Sequence, residues 1–198
     1  WLMRCLNILG THFTFTNPHS IPTNQPLIIV ANHQSMYDIP PLLYYLSKYH
    51  PKFVSKIELG KGIPSVSYNL RHGGSVLIDR KKPLKSIKAI KYFAQNISNN
   101  NWSAIIFPEG TRSKTGHPKP FKTKGLQTLL THMPNALVVP ITINNSWKLL
   151  RYGKFPLDLG VHITFKVHKP IPVNQTSTAP LMEKIEQIII NDIQHESK

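Results

Sequence analysis

His33 and Asp38 lie five positions apart, directly after the apolar run PLIIVAN (26–32), in the stretch Asn32-His33-Gln34-Ser35-Met36-Tyr37-Asp38-Ile39-Pro40-Pro41. An imidazole is the side chain best suited to accept a proton near neutral pH. A carboxylate on its other nitrogen fixes the tautomer and stabilises the imidazolium as it forms. On one regular helix, a five-residue step would turn the two groups about 140° apart. They meet only if the chain bends between them. Pro40 and Pro41 permit that bend, because both suit the opening turn of a helix. Asp38 then stands near the helix start and His33 in a strand-to-helix turn. The plainer alternatives are a satisfied turn histidine and an N-cap aspartate. Nothing raises His12, His19, His50, His132 or His195 above surface or packing roles.

A second group follows another apolar run, in IIFPEGTRSKTG (105–116). Gly110 allows a tight turn that aims several groups at one point. Arg112 offers a planar fork that matches a phosphate, and Thr111 with nearby backbone N–H groups adds donors. Glu109 either accepts a hydrogen bond from a substrate hydroxyl or holds Arg112 in place. An ordinary salt-bridged turn is the alternative. The loop SKTGHPKPFKTK (113–124) is long and cationic, either solvated or facing anions.

The elements that must position these groups are legible as apolar runs. PLIIVAN (26–32), GSVLID (74–79), SAIIFP (103–108) and ALVVPITI (136–143) read as strands buried on both faces. Phe53, Val54 and Ser55 add a short strand, and VHITFKV (161–167) alternates as an edge strand does. Helical spacing appears between them. Ile87, Ile90, Phe93, Ala94 and Ile97 share one face while Lys85, Lys88 and Lys91 lie elsewhere. GLQTLLTHM (125–133) is a shorter helix. Leu181, Ile185, Ile188, Ile189 and Ile193 mark a terminal one, with Thr178 as cap and Pro180 in its first turn. Alternating strands and helices predict an α/β fold, a largely parallel central sheet flanked by helices, with ligands at the carboxyl ends of the strands. No repeat or linker divides the 198 residues, so one domain over 1–198 is expected.

Charge narrows the partners. With 24 Lys+Arg against 9 Asp+Glu the net charge is +15, which favours an anionic partner: nucleic acid, an acidic membrane face or phosphorylated small molecules. Cys5 is the only cysteine, so no internal disulfide forms, and a reducing compartment fits. No apolar run reaches the roughly 18 residues that span a bilayer. The start, WLMRCLNILG, is a dense apolar cluster. It is expected to end a longer membrane-associating segment covering 1–15, with Trp1, Leu2, Met3, Leu6, Ile8 and Leu9 dipping into the interface. An N-terminal helix packed on the core is the alternative.

NHQSMYD (32–38), GSVLIDR (74–80), FPEGTRS (107–113) and VVPI (138–141) stand in an order that resembles the glycerolipid acyltransferase family, which includes the 1-acylglycerol-3-phosphate acyltransferases. The resemblance covers residues 26 to 145 and implies a glycerol-phosphate acyltransferase-like fold. It makes His33 the general base and Asp38 its orienting partner. Glu109, Gly110, Thr111 and Arg112 become the acceptor site, with Arg112 on its phosphate. By the same resemblance, Arg80 is a second cation near that phosphate, Lys56 in FVSKIEL lies beside it, and Pro140 shapes the acyl-side wall.

The implied reaction moves a fatty acyl group from acyl-CoA or an acyl carrier protein to the free sn-2 hydroxyl of 1-acylglycerol-3-phosphate, giving phosphatidic acid. No metal or cofactor is implied. The implied setting is an anionic membrane surface, at its cytoplasmic face. Glycerol-3-phosphate, dihydroxyacetone phosphate or another lysolipid is the alternative acceptor. The competing class, a basic nucleic-acid-binding protein, lacks zinc-finger spacing and an RNA-binding aromatic signature. One departure stands out. PFKTKG (120–125) separates Lys122 from Gly125 by one residue more than the commoner form, which argues against a direct substrate role for Lys122.

Overall fold

The structure, a computed structural model, describes residues 2–61 and 64–194, so Trp1 and His195 lie outside the described residues. In chain order the elements are α1 (Leu2–Ile8), β1 (His12–Thr16), β2 (Leu27–Ala31), α2 (Ile39–Tyr45), β3 (Pro51–Lys56), α3 (Pro64–His72), β4 (Val76–Ile78), α4 (Pro83–Asn99), β5 (Ser103–Ile106), α5 (Thr123–His132), β6 (Leu137–Asn144), β7 (His162–Val167), β8 (Ile171–Pro172) and α6 (Thr178–Asn191). The strands join one sheet in the order β1-β7-β6-β2-β5-β3-β4, with β8 beside β6. From β6 to β4 every neighbouring pair is parallel. The carboxyl ends of β2, β5, β3 and β4 therefore stand side by side.

The apolar runs work as expected of a covered sheet. In β2, Ile28 and Val30 face a core built with Ile90, Phe93, Ala94 and Ile97 of α4, Leu126, Leu129 and Leu130 of α5, and Leu181, Ile185 and Ile189 of α6. Leu27, Ile29 and Ala31 face the opposite core, with Leu6 of α1, Leu42 of α2 and Leu70 of α3. Period-two alternation between two helix layers explains why the run is apolar throughout. Each fully buried branched side chain contributes about 1.5–3 kcal/mol relative to exposure. Lys85, Lys88 and Lys91 point to solvent from α4.

Three expectations change. VHITFKV is not at an edge: β7 lies between β1, to which it is parallel, and β6, to which it is antiparallel. The edges are β1, whose alternating HFTFT offers only Phe13 and Phe15 as apolar signal, and β4, where GSVLID proves half-buried at Val76, Leu77 and Ile78 rather than buried on both faces, because no strand covers its far side. The cap of α6 is Ser177, without a side-chain capping bond, and Thr178 is the first helical residue. In α1, Leu6 is buried against the core while Leu2 and Ile8 are exposed.

Pro140 has a local explanation. Ile141 of β6 pairs with Val167 of β7, and Val138 with Ile171 of β8. Three residues, 168–170, thus oppose two, 139–140, which makes β7 and β8 one strand interrupted by a bulge. A proline, which cannot donate to a ladder, is tolerated at such a break. Its carbonyl still accepts from His168 N at 2.9 Å.

Candidate active site

His33 is fixed from five directions. Behind it, Asn32 extends the β2–β6 ladder with its side chain: Nδ2 donates to Ile143 O at 2.8 Å and Oδ1 accepts from Ile143 N at 2.7 Å. The His33 backbone N–H donates to Glu109 Oε1 at 2.7 Å, and its carbonyl accepts from Ser113 N at 2.7 Å. The imidazole stacks on Phe107, with ring centroids 4.1 Å apart. Finally, Nδ1 meets Asp38 Oδ2 at 2.7 Å. Nδ1 donating to the carboxylate leaves Nε2 with a free lone pair, which is what a proton acceptor needs. The His33 side chain is 15% exposed and that of Asp38 0%, so only the imidazole reaches the cleft.

The bend that brings them together is a 3-10 turn, Met36–Asp38, placed before α2. Ser35 caps it, accepting from Tyr37 N at 3.0 Å, while Asp38 Oδ2 accepts from Gln34 N at 2.8 Å and Ser35 N at 3.0 Å. Asp38 occupies the cap position of α2 but makes no side-chain capping bond to that helix. Its carboxylate serves His33 and the turn instead. Ser35 Oγ also meets Ser146 Oγ at 2.5 Å, which ties the turn to the segment after β6. The pattern Ser-x-x-Asp at 35–38 is the local signal for this cap, and sequence reasoning passed over it in favour of Asp38 as the cap.

Glu109 answers differently from either expectation. Oε1 holds His33 N, and Oε2 accepts from Lys119 N at 2.9 Å. At 1% exposure it is closed to a substrate hydroxyl, and it grips backbone rather than Arg112. Burial pushes its pKa up, opposed by the two backbone bonds. The folded chain therefore holds this proton more tightly than the unfolded chain. Its contribution to stability is present below the ordinary Glu value and is lost as pH rises through the folded value. Glu109→Gln should flatten that part of the Tm-versus-pH curve. Glu109→Ala, which leaves two backbone donors unpaired, should cost about 2–5 kcal/mol in a denaturant titration.

Around this carboxylate the loop turns at Gly110, with φ +72, and Gly110 N donates to Phe107 O at 3.0 Å. Arg80 Nη1 donates to Gly110 O. A Cβ at Gly110 would stand 3.1 Å from that guanidinium, so both the backbone conformation and the close approach favour glycine. Thr111 and Arg112 are exposed beside it.

Lys56, at the end of β3, has its pKa lowered first by burial and then by the charge of Arg80, with Arg112 and Lys122 acting in the same sense and Glu58 opposing. Four cations thus share one field. Lys122, whose spacing left a direct substrate role in doubt, adds its charge to that field, and its backbone N donates to Pro108 O at 2.9 Å. A phosphate dianion placed there would relieve their mutual repulsion. Pro140 is the outlier: it sits buried within β6 at the bulge rather than at a strand end.

Sequence reasoning missed Phe107, Ser146 and the Trp147–Lys154 segment, which carry no periodicity and reach the site only through tertiary packing. A family model described as Acyltransferase matches residues 12–144. The chloroplastic 1-acyl-sn-glycerol-3-phosphate acyltransferase BAT2 of Brassica napus is 34% identical over 151 residues, covering 75% of this chain and 42% of that protein. A protein named 1-acyl-sn-glycerol-3-phosphate acyltransferase from Helicobacter pylori is 37% identical over 134 residues, covering 63% and 54%. The chain spans about half the length of the curated relatives it matches. The crystal structure of the 1-acyl-sn-glycerophosphate acyltransferase PlsC from Thermotoga maritima superimposes with a TM-score of 0.80 at 27% identity, covering 99% of this chain and 78% of that one.

Proposed function

We propose, from the premise that this chain belongs to the acyltransferase family, that it transfers a fatty acyl group from a thioester to the sn-2 hydroxyl of 1-acylglycerol-3-phosphate. The observation that carries this reading is the His33–Asp38 pair, 2.7 Å apart, beside the cluster of Lys56, Arg80, Arg112 and Lys122. His33 Nε2 takes the hydroxyl proton while the oxygen attacks the thioester carbonyl. As the tetrahedral intermediate collapses, the carbon–sulfur bond breaks and the thiolate takes the proton from the imidazolium. The buried Asp38 carboxylate stabilises that imidazolium. Charge on the acceptor phosphate, met by the cations, holds the hydroxyl near His33 and makes attack effectively intramolecular. The acyl-side wall assigned to Pro140 has support from resemblance only.

A peripheral seat on an anionic membrane, at its cytoplasmic face, belongs to the same reading. Among the described residues no helix is long and apolar enough to cross a membrane. The helix layer of α1, α2 and α3 exposes Leu2, Ile8, Leu43, Tyr44, Val66 and Tyr68. Arg4, Lys48 and Lys61 are exposed along the same layer. Each cation near an anionic surface adds about 1 kcal/mol.

The test is a matrix of lysophosphatidic acid and glycerol-3-phosphate, each with acyl-CoA and with acyl carrier protein as donor. Turnover should be greatest with lysophosphatidic acid; none with either donor would overturn the assignment. Arg112→Ala should raise KM for the phosphorylated acceptor roughly 10- to 100-fold. An unphosphorylated analogue should be little affected. Equal loss with both acceptors would remove Arg112 from the phosphate.

A further inference from the structure

A second set of cations lies on the other side of His33. A cavity of about 520 Å³ is lined by Gln34, Arg112, Lys114, Trp147, Arg151 and Lys154 among others. In the sheet order β6-β2-β5-β3-β4, His33 follows β2, the Lys56 and Arg80 cluster lies toward β4, and this cavity is walled by the segment that follows β6. The wall is anchored. Ser146 meets Ser35 at 2.5 Å, and Trp147 packs on Gly116, where a Cβ would come within 2.5 Å of the indole nitrogen. Arg151 stacks over Trp147 with its carbon 5.8 Å from a ring centroid, and Asp158 pairs with Arg151 at 2.8 Å.

Gln34 adds an independent sign of a ligand. It is 3% exposed, it follows His33 directly, and its Oε1 is buried without a hydrogen-bond partner among the described residues. A buried acceptor left unpaired is costly, and one on a cavity wall is satisfied by a donor that enters the cavity.

We propose that this cavity receives the phosphorylated nucleotide end of a coenzyme A thioester, with Gln34 Oε1 accepting an amide N–H from the arm that carries the sulfur. This deepens the acyl-transfer reading and rests on it. Lys114 and Lys154, with Arg112 and Arg151, answer the phosphates. Trp147 supplies an aromatic face for the base. Gln34, next to the base, lies where the arm must pass for the thioester to reach His33. A carrier protein would meet the cations across a broad convex contact. Here they surround a concavity of small-molecule size. Arg112 stands between the two cation sets, and its charge also reaches Lys56, so it is left out of the test.

The experiment is calorimetric titration of wild type and a Lys114→Ala/Lys154→Ala variant with coenzyme A and with adenosine 3′,5′-bisphosphate, followed by steady-state kinetics. Both ligands should bind wild type, and the variant should bind each roughly ten-fold more weakly. KM for acyl-CoA should rise in parallel, while KM for lysophosphatidic acid and turnover of an acyl-N-acetylcysteamine, which has no phosphate, should not change. Unaltered coenzyme A affinity, or an equal loss with the phosphate-free thioester, overturns the proposal. So does a wild type that ignores coenzyme A and takes acyl groups only from a carrier protein. If coenzyme A binding weakens as expected but lysophosphatidic acid is never acylated, the donor site stands and the acceptor assignment falls.

Discussion

Replacing His33 with alanine should lower acyl transfer by about 10³- to 10⁴-fold, the range expected when a positioned general base is removed. The substitution is clean for structural reasons. The backbone bonds that place residue 33, to Glu109 and from Ser113, do not involve its side chain. Asp38 keeps two of its donors, the amides of Gln34 and Ser35. Thermal unfolding and acceptor binding should therefore change little, and the loss should fall on kcat. Activity within a few-fold of wild type would refute the assignment of the base.

Asp38→Asn should be nearly as damaging, at about 10²- to 10⁴-fold, because the buried carboxylate stabilises positive charge that an amide cannot. Its single oxygen Oδ2 carries the imidazole bond and both turn amides, so the residue acts through His33 and the turn rather than on substrate. That makes a sharper test available. Residues that act as a unit are not additive. A variant carrying both Asp38→Asn and His33→Ala should be no slower than His33→Ala alone. If the two losses multiply, Asp38 has a second task in the reaction.

Much of this arrangement was readable from the chain because its signals are local. Buried parallel strands must be apolar on both faces, so PLIIVAN, SAIIFP and ALVVPITI stand out without reference to anything distant. The His33–Asp38 meeting was permitted by two prolines and a helix start, with a turn histidine and a capping aspartate left as alternatives. What stayed hidden depends on pairs far apart. Glu109 reaches the His33 amide across 76 positions, and no local pattern distinguishes that grip from a hold on Arg112. Likewise β1 is an outer strand with two half-buried phenylalanines, too few to announce itself.

The side-by-side strand ends carry a consequence for which acceptors react. Neighbouring strands lie about 4.8 Å apart, so the backbone roots of the base, after β2, and of the cations, after β5, β3 and β4, are spaced like the teeth of a comb, with the Arg80 guanidinium leaning back to Gly110 O. A molecule that spans the wrong number of teeth still docks its charged end, yet its oxygen hangs short of the imidazole. Discrimination between headgroups should then surface in the speed of the bond-forming step more than in occupancy.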